Sequence, residues 1–317
     1  MGALLSSRGL IVAAALCAVA AAAFVFTRSD PSLSADTLEA RYFQTADSYV
    51  EIGAARLRVR REGEGDATPL ILIHGFTFSL ETWDAWAAAL ASDRPVIRYD
   101  LLGHGLTGPD PEKRYAIEER VEILRALLDA LDVPRAHIGG NSLGGAIAWR
   151  FAAAYPEMVD RLVLVSPAAY ALIGDGSEPA PIPAPMRYFL NNVPEAGVRA
   201  SGRVLYTGDP PEDRITTIGD LMRAPGNGAA FIDHLLEFTL PNPDDALTSI
   251  AAPTLIFWGE DDALIPLEHG ERMAAAMPGA TLVPLPGAGH LAHEEAAEAT
   301  SSAAAEFLDA ATGNARD

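Results

Sequence analysis

Cysteine is almost missing from this sequence: Cys17 stands alone in 317 residues, so no disulfide can form within the chain. Positive charge is scarce as well, with 23 basic residues against 43 acidic ones and a formal net charge of -20. Such a surface is repelled by phosphate backbones, which argues against a nucleic-acid partner. The histidines and carboxylates show no ligand spacing such as H-E-x-x-H, and no metal is expected. No nucleotide-binding glycine motif stands with its acidic partner, so no cofactor is expected either. What is plentiful is apolar: 49% of the residues are hydrophobic, enough for a sizeable core.

Long uncharged stretches are confined to the beginning. Gly9 to Thr27 reads GLIVAAALCAVAAAAFVFT and is long enough to cross a hydrocarbon core as a helix. Residues 1–28 are therefore expected to be a membrane anchor or a signal segment. Ala18-Val19-Ala20 offers a small-residue cleavage pattern, whereas the run continuing through Phe24, Val25 and Phe26 favours an uncleaved anchor. The amino terminus and Arg8 place positive charge at the front, which favours a cytoplasmic N-terminus and a folded domain outside. The protein is thus expected to be membrane-anchored with an extracytoplasmic domain, or secreted if the segment is cleaved. Residues 29–47 read as a linker with a short helical piece, Ala35 to Arg41.

From about Ser48 short apolar runs alternate with amphipathic stretches. Tyr49 to Ile52 and Ala55 to Arg60 read as two antiparallel strands joined near Gly53. Buried strands are expected at Leu70–Ile73, Pro95–Tyr99, Ala136–Gly139, Leu162–Val165, Thr254–Phe257 and Thr281–Val283. Helices are expected at Thr82–Ala91 (with Thr82 as cap), Ile117–Leu131, Gly144–Ala154, Leu267–Met277 and His293–Ala310. This alternation implies an α/β fold with a mainly parallel sheet covered by helices on both faces. It is interrupted once. Residues 171–249 open on a Pro-rich run (EPAPIPAP) and then carry helical stretches with no buried strand, so they read as a helical cap inserted into a core of 48–170 and 250–317.

Between a strand and a helix lies Gly139-Gly140-Asn141-Ser142-Leu143-Gly144-Gly145, which contains G-x-S-x-G. A sharp strand-to-helix turn exposes the serine hydroxyl, and small neighbours let the turn close. Serine is a weak nucleophile and needs a base. Of seven histidines, His290 follows Pro286-Gly287-Ala288-Gly289 on a loop after a strand, where ligands bind in open α/β sheets. His74 and His104 sit in glycine-rich turns that suggest packing or backbone bonding. His137, His234, His269 and His293 read as core, rim or helix residues. An acid must then fix the imidazole tautomer, and Glu260, Asp261 and Asp262 follow a buried strand. Two backbone N–H groups are candidates to hold an oxyanion: that of Leu143, just after the serine, and that of Phe76, after His74-Gly75.

LILIHGF, YDLLGHGLTGP, GGNSLGGAIAW, PTLIFWGEDDALIP and GAGH resemble motifs of the α/β-hydrolase superfamily, in the same order, from about Tyr49 onward. The resemblance implies the α/β-hydrolase fold with Ser142 as nucleophile, His290 as base and Asp262 as the acid. Asp262 is preferred to Asp261 because it lies four residues before Pro266, the spacing this family shows. Asn141 and Pro266-Leu267-Glu268-His269-Gly270 fit the branch near carbon–carbon bond hydrolases and esterases. Leu291 departs from it, since those carbon–carbon hydrolases carry tryptophan after the histidine. So does the loop Phe76-Thr77-Phe78-Ser79, which lacks their glycine- and proline-rich run.

The expected function is hydrolysis of a carboxylic ester or lactone, on a small apolar substrate, through an acyl-enzyme. Cleavage of a vinylogous diketone from ring-cleavage pathways is the alternative, with Arg187 or Arg199 as its cap arginine. A non-catalytic binding protein on the hydrolase fold is the third reading. In the cap, Tyr188, Phe189, Leu190 and Phe231 are the candidate pocket walls.

Overall fold

The computed structural model describes residues 32–310. Eight strands form one sheet: β1 (Asp47–Ile52), β2 (Ala55–Glu62), β3 (Leu70–Ile73), β4 (Val96–Tyr99), β5 (Ala136–Asn141), β6 (Val159–Val165), β7 (Thr254–Gly259) and β8 (Ala280–Leu285). Their order across the sheet is β1-β2-β4-β3-β5-β6-β7-β8. β2 runs antiparallel to β1 and β4, and every pairing from β4 through β8 is parallel.

The central strands are mainly apolar and buried along nearly their whole length because both of their faces are covered, and successive side chains sort the core into two halves. Leu70, Leu72, Val163, Val165, Leu255 and Phe257 face one side. There they meet Trp86 and Leu90 of α2 (Asp84–Leu90) and Ala304 and Leu308 of the terminal helix. Ile71, Ile73, Ile138, Leu162, Leu164 and Ile256 face the other side. These pack against α3 (Ile117–Ala130) and α4 (Leu143–Ala154). A one-residue slip would exchange the two sets, so the register is tightly specified.

Two local expectations need correction. Thr82 does not cap a helix: Leu80–Trp83 is a 3₁₀ turn, and α2 starts only at Asp84. The Thr82 hydroxyl instead meets His293 Nε2 at 3.0 Å and donates to the Glu294 carboxylate, a long-range use of its oxygen that local sequence does not reveal. The last expected helix is also broken. It forms as α11 (Ala292–Glu295) and α12 (Ala297–Asp309), with Ala296 between them at φ -120°.

Between β6 and β7 the chain forms α5 (Ala184–Asn192), α6 (Glu195–Leu205), α7 (Glu212–Met222), α8 (Asn227–Glu237) and α9 (Asp244–Thr248), and α10 (Leu267–Ala276) follows β7. The cap has its own apolar core, including Phe189, Val198, Ile215, Met222 and Phe231, which extends to Phe78 and Leu291 of the sheet loops. Before β1, helix α1 (Ala35–Tyr42) docks on the cap, burying Leu38 against Leu221 and Ala224. Its Arg41 and Tyr42 side chains both reach Asp220 at 2.8 Å, and the Tyr42 carbonyl accepts from the buried guanidiniums of Arg58 and Arg60. This part of the expected linker is therefore built into the fold. Among the described residues no helix is long and apolar enough to cross a membrane. Gly9 to Thr27, expected to anchor or direct the chain, lies outside the described residues.

Candidate active site

Three loops at the C-terminal ends of β3, β5 and β7, together with the loop after β8, bring the expected residues to one place. Ser142 sits between β5 and α4 at φ 53°, ψ -115°, a conformation that costs a non-glycine residue of order 1–3 kcal/mol and is seen where function demands it. The turn closes because its neighbours lack side chains. A Cβ at Gly140 would lie 2.3 Å from the Gly144 carbonyl oxygen, and one at Gly144 would lie 2.2 Å from that of Ile73. The Ser142 N–H donates to Val165 O at 3.1 Å, and the Ser142 carbonyl accepts from Ala146 and Ala168. The strained residue is thereby held from both sides.

Asp262 and His290 meet directly, with Nδ1 of the imidazole 2.8 Å from Oδ2 of the carboxylate. Oδ1 accepts from the N–H groups of Leu264 at 2.8 Å and Ile265 at 2.9 Å. Each carboxylate oxygen thus serves a separate partner. Asp261 is exposed and takes no such part. His290 is buried, and its Nε2 has no hydrogen-bond partner among the described residues. Asn141 Nδ2 donates to His290 O at 3.2 Å and to Val165 O at 3.0 Å, tying the base loop to the serine turn.

Ser142 and His290 line one cavity of about 140 Å³ with Phe76, Thr77, Phe78, Met186, Phe189, Leu190, Ser201, Val204, Leu205 and Leu264. Among the described residues no carboxylate, lysine or arginine is in this wall. Phe189 and Leu190 are there as expected, whereas Tyr188 and Phe231 are not. Phe231 packs edge-on against Phe76 at 5.4 Å within the cap core. The contribution of α6 (Ser201, Val204, Leu205) goes beyond the sequence reading, although 201, 204 and 205 lie on one helical face at the right spacing. Arg187 and Arg199 are not in the wall. Arg199 instead pairs with Glu195 and Glu212 on the surface of the cap.

The loop after β3 carries Phe76, and its N–H has no acceptor among the described residues; nor does that of Leu143, one of the free donors at the start of α4. His74 braces this loop: its Nδ1 meets Gly75 O at 2.8 Å, and Nε2 accepts from Leu101 N at 2.9 Å. That arrangement needs a neutral ring, and burial holds His74 down to about 4. Burial likewise lowers His234, beneath Phe76, to about 3.

Both histidines make stability depend on pH with a fixed sign. Their folded pKa values are depressed, so below about 6.5 the unfolded chain binds protons that the folded chain refuses, and stability is lost as pH falls towards 4. Each should contribute a slope of roughly 1.4 kcal/mol per pH unit in that window. Urea midpoints measured at pH 7, 5.5 and 4.5 should fall, and His234→Gln should flatten part of the decline. An unchanged slope in that variant would refute the assignment for His234.

The chain belongs to the alpha/beta hydrolase family, whose profile matches residues 70–303. A 2-hydroxy-6-oxononadienedioate/2-hydroxy-6-oxononatrienedioate hydrolase of Paraburkholderia xenovorans (strain LB400) is 31% identical over 271 residues, covering 81% of this chain and 91% of that protein. A protein of Mycobacterium tuberculosis (strain ATCC 25618 / H37Rv) with no assigned activity is 33% identical over 266 residues, 78% of this chain and 75% of its own. Among solved structures, the enol-lactonase from Burkholderia xenovorans LB400 superposes with a TM-score of 0.72 at 25% identity, covering 82% of this chain and 99% of its own.

Proposed function

We propose that this hydrolase cleaves a carboxylic ester or lactone through an acyl-enzyme. The observation that carries the reading is the 2.8 Å contact of Asp262 with His290, which lines one cavity with the strained Ser142. Ser142 Oγ attacks the carbonyl carbon while His290 Nε2 takes its proton, and the N–H groups of Leu143 and Phe76 hold the oxyanion. The tetrahedral intermediate expels the alcohol, which receives that proton from His290. Water, deprotonated by the same nitrogen, then attacks the acyl-enzyme, and as that intermediate collapses to the acid, Ser142 Oγ takes the proton back from His290.

The uncharged wall favours a neutral acyl group. A carboxylate carried into it would lose its water with no cation to replace it, which costs several kcal/mol. This weighs against the dianionic ring-cleavage substrates named for the Paraburkholderia relative, despite 31% identity, and agrees with the lactone chemistry named for the structural neighbour. The apolar run Gly9 to Thr27 supports a membrane-anchored or secreted enzyme acting outside the cytoplasm.

Turnover of a neutral p-nitrophenyl ester series, set beside a ring-cleavage dienoate, tests the reading. Esters should be cleaved with kcat/KM at least about 100-fold above the dienoate, the discrimination expected from several kcal/mol for an unpaired buried charge. A preference for the dienoate would replace the ester reading with carbon–carbon bond cleavage.

A further inference from the structure

The cap and the base loop are joined by a cluster of hydrogen bonds that the triad itself does not require. The His290 N–H donates to the carbonyl of Leu205, the last residue of α6, at 2.8 Å. Next to it, the Gly289 N–H donates to Glu295 Oε1 at 2.8 Å. The other oxygen of that carboxylate accepts from Thr207 of the cap twice, from its N–H at 2.8 Å and its hydroxyl at 2.7 Å. The Thr207 hydroxyl also reaches the Gly287 carbonyl at 3.1 Å.

Close packing accompanies these bonds. A Cβ at Gly289 would lie 2.8 Å from Leu205 O, 3.0 Å from Glu295 Oε1 and 3.3 Å from Thr207 N. The two segments meet where only glycine fits without displacement. Val204 and Leu205, just before Thr207 in the chain, also form part of the substrate cavity wall. An acyl chain pressing on that wall therefore presses on the segment that holds the backbone of the base.

We propose that Glu295 is a positioning residue that locks the His290 loop to the cap wall, so that filling the acyl cavity sets the base in place. The proposal rests on the reading of Ser142 and His290 as nucleophile and base. Its consequence is that acyl-chain length is read in kcat and not only in KM. A carboxylate suits this role because one anion accepts three N–H and O–H donors from two segments at once, and bonds to a charged acceptor are the stronger kind. Glu295→Gln would keep one accepting oxygen, and a neutral aliphatic side chain would keep none.

The test uses the full chain with Glu295→Ala, Glu295→Gln and Gly289→Ala, assayed on p-nitrophenyl esters from acetate to decanoate. Labelling of Ser142 by a fluorophosphonate counts competent sites. Glu295→Ala should lower kcat for the best-fitting ester by about 10- to 100-fold, the scale of a small misplacement of a catalytic group. Acetate, too short to press on the wall, should change by less than about threefold, with KM for both held within about threefold. Glu295→Gln should recover part of the loss. If Glu295→Ala does not fold, Gly289→Ala decides, since it keeps every hydrogen-bonding group and only forces the segments apart. The same flattening of the chain-length profile is expected from it.

An unchanged kcat for the best ester, or an equal loss for acetate and the best ester, would overturn the coupling. Failure of the parent reading looks different: wild-type protein would neither label nor turn over, or Ser142→Ala would remain active. Amide hydrogen exchange then still decides the coupling. Glu295→Ala should speed exchange at Thr207, Gly289 and His290 by about tenfold or more, and unchanged exchange there would refute the lock.

Discussion

Replacing Ser142 by alanine is expected to lower kcat towards a neutral p-nitrophenyl ester by about 10⁴-fold or more, with KM nearly constant. In the proposed mechanism the hydroxyl at the head of α4 forms the acyl bond, and its neighbours Gly140 and Gly144 are fixed by close backbone contacts. Residual activity at the level of the oxyanion donors should remain, because the N–H groups of Leu143 and Phe76 survive the substitution. Loss of folding is separable from loss of chemistry by a second replacement. Ser142→Gly relieves the cost of φ 53° and should raise unfolding free energy by about 1 kcal/mol in urea titration, while abolishing turnover just as fully. That outcome would mark a position where glycine is more stable than serine, as expected of a residue kept for reactivity. Turnover of Ser142→Ala within about tenfold of wild type would remove it from the mechanism.

Asp262→Asn should cost nearly as much, about 10⁴-fold in kcat, with the fold intact. The reason lies in the division of labour between the two carboxylate oxygens. Leu264 and Ile265 present N–H donors to Oδ1, while His290 Nδ1 faces Oδ2. In the asparagine variant the amide oxygen must take the place of Oδ1, because an NH₂ group there would confront two donors. The NH₂ group then faces Nδ1 and forces the imidazole proton onto Nε2, the nitrogen that must accept from serine. The adjacent Asp261 is exposed, so Asp261→Asn should keep kcat within about twofold, as surface substitutions generally do. Measuring kcat for the two variants side by side checks the assignment, and equal effects would contradict it.

Much of this is legible in the chain because the relevant constraints are local. The glycines around Ser142 announce a turn that only small residues can make, and the run Leu70–Ile73 announces a strand buried on both faces. The partnership of Asp262 and His290 spans 28 residues. Chain order and the spacing to Pro266 point to it, but the contact itself needs the fold. Where partners are remote, the sequence offers less. Thr82 has the appearance of a cap, yet its oxygen serves His293 and Glu294, more than two hundred residues away. The cavity wall is only half legible. Aromatic character singles out Tyr188 and Phe231, while Ser201, Val204 and Leu205 of α6 form the surface. Amphipathic spacing identifies a helical face but not what stands opposite it. His234 shows the same limit in part: Phe238 stands one helical turn on and meets its ring, but nothing nearby in sequence announces Phe76 above it.

The docking of α1 has a consequence for how the protein bears load. Tyr42 is gripped twice, its hydroxyl by Asp220 of the cap and its carbonyl by Arg58 and Arg60 of the sheet. A pull entering from the N-terminal side therefore reaches cap and sheet together at one residue, with no slack segment to absorb it. A cut on the N-terminal side of Ser34 spares this joint. A cut after Phe43 takes the Tyr42 carbonyl from Arg58 and Arg60 while leaving their carboxylate partners Asp47, Glu81 and Asp100 in place, a defect of about 1–3 kcal/mol. The mechanical boundary of the hydrolase domain thus falls ahead of α1, well before the first strand.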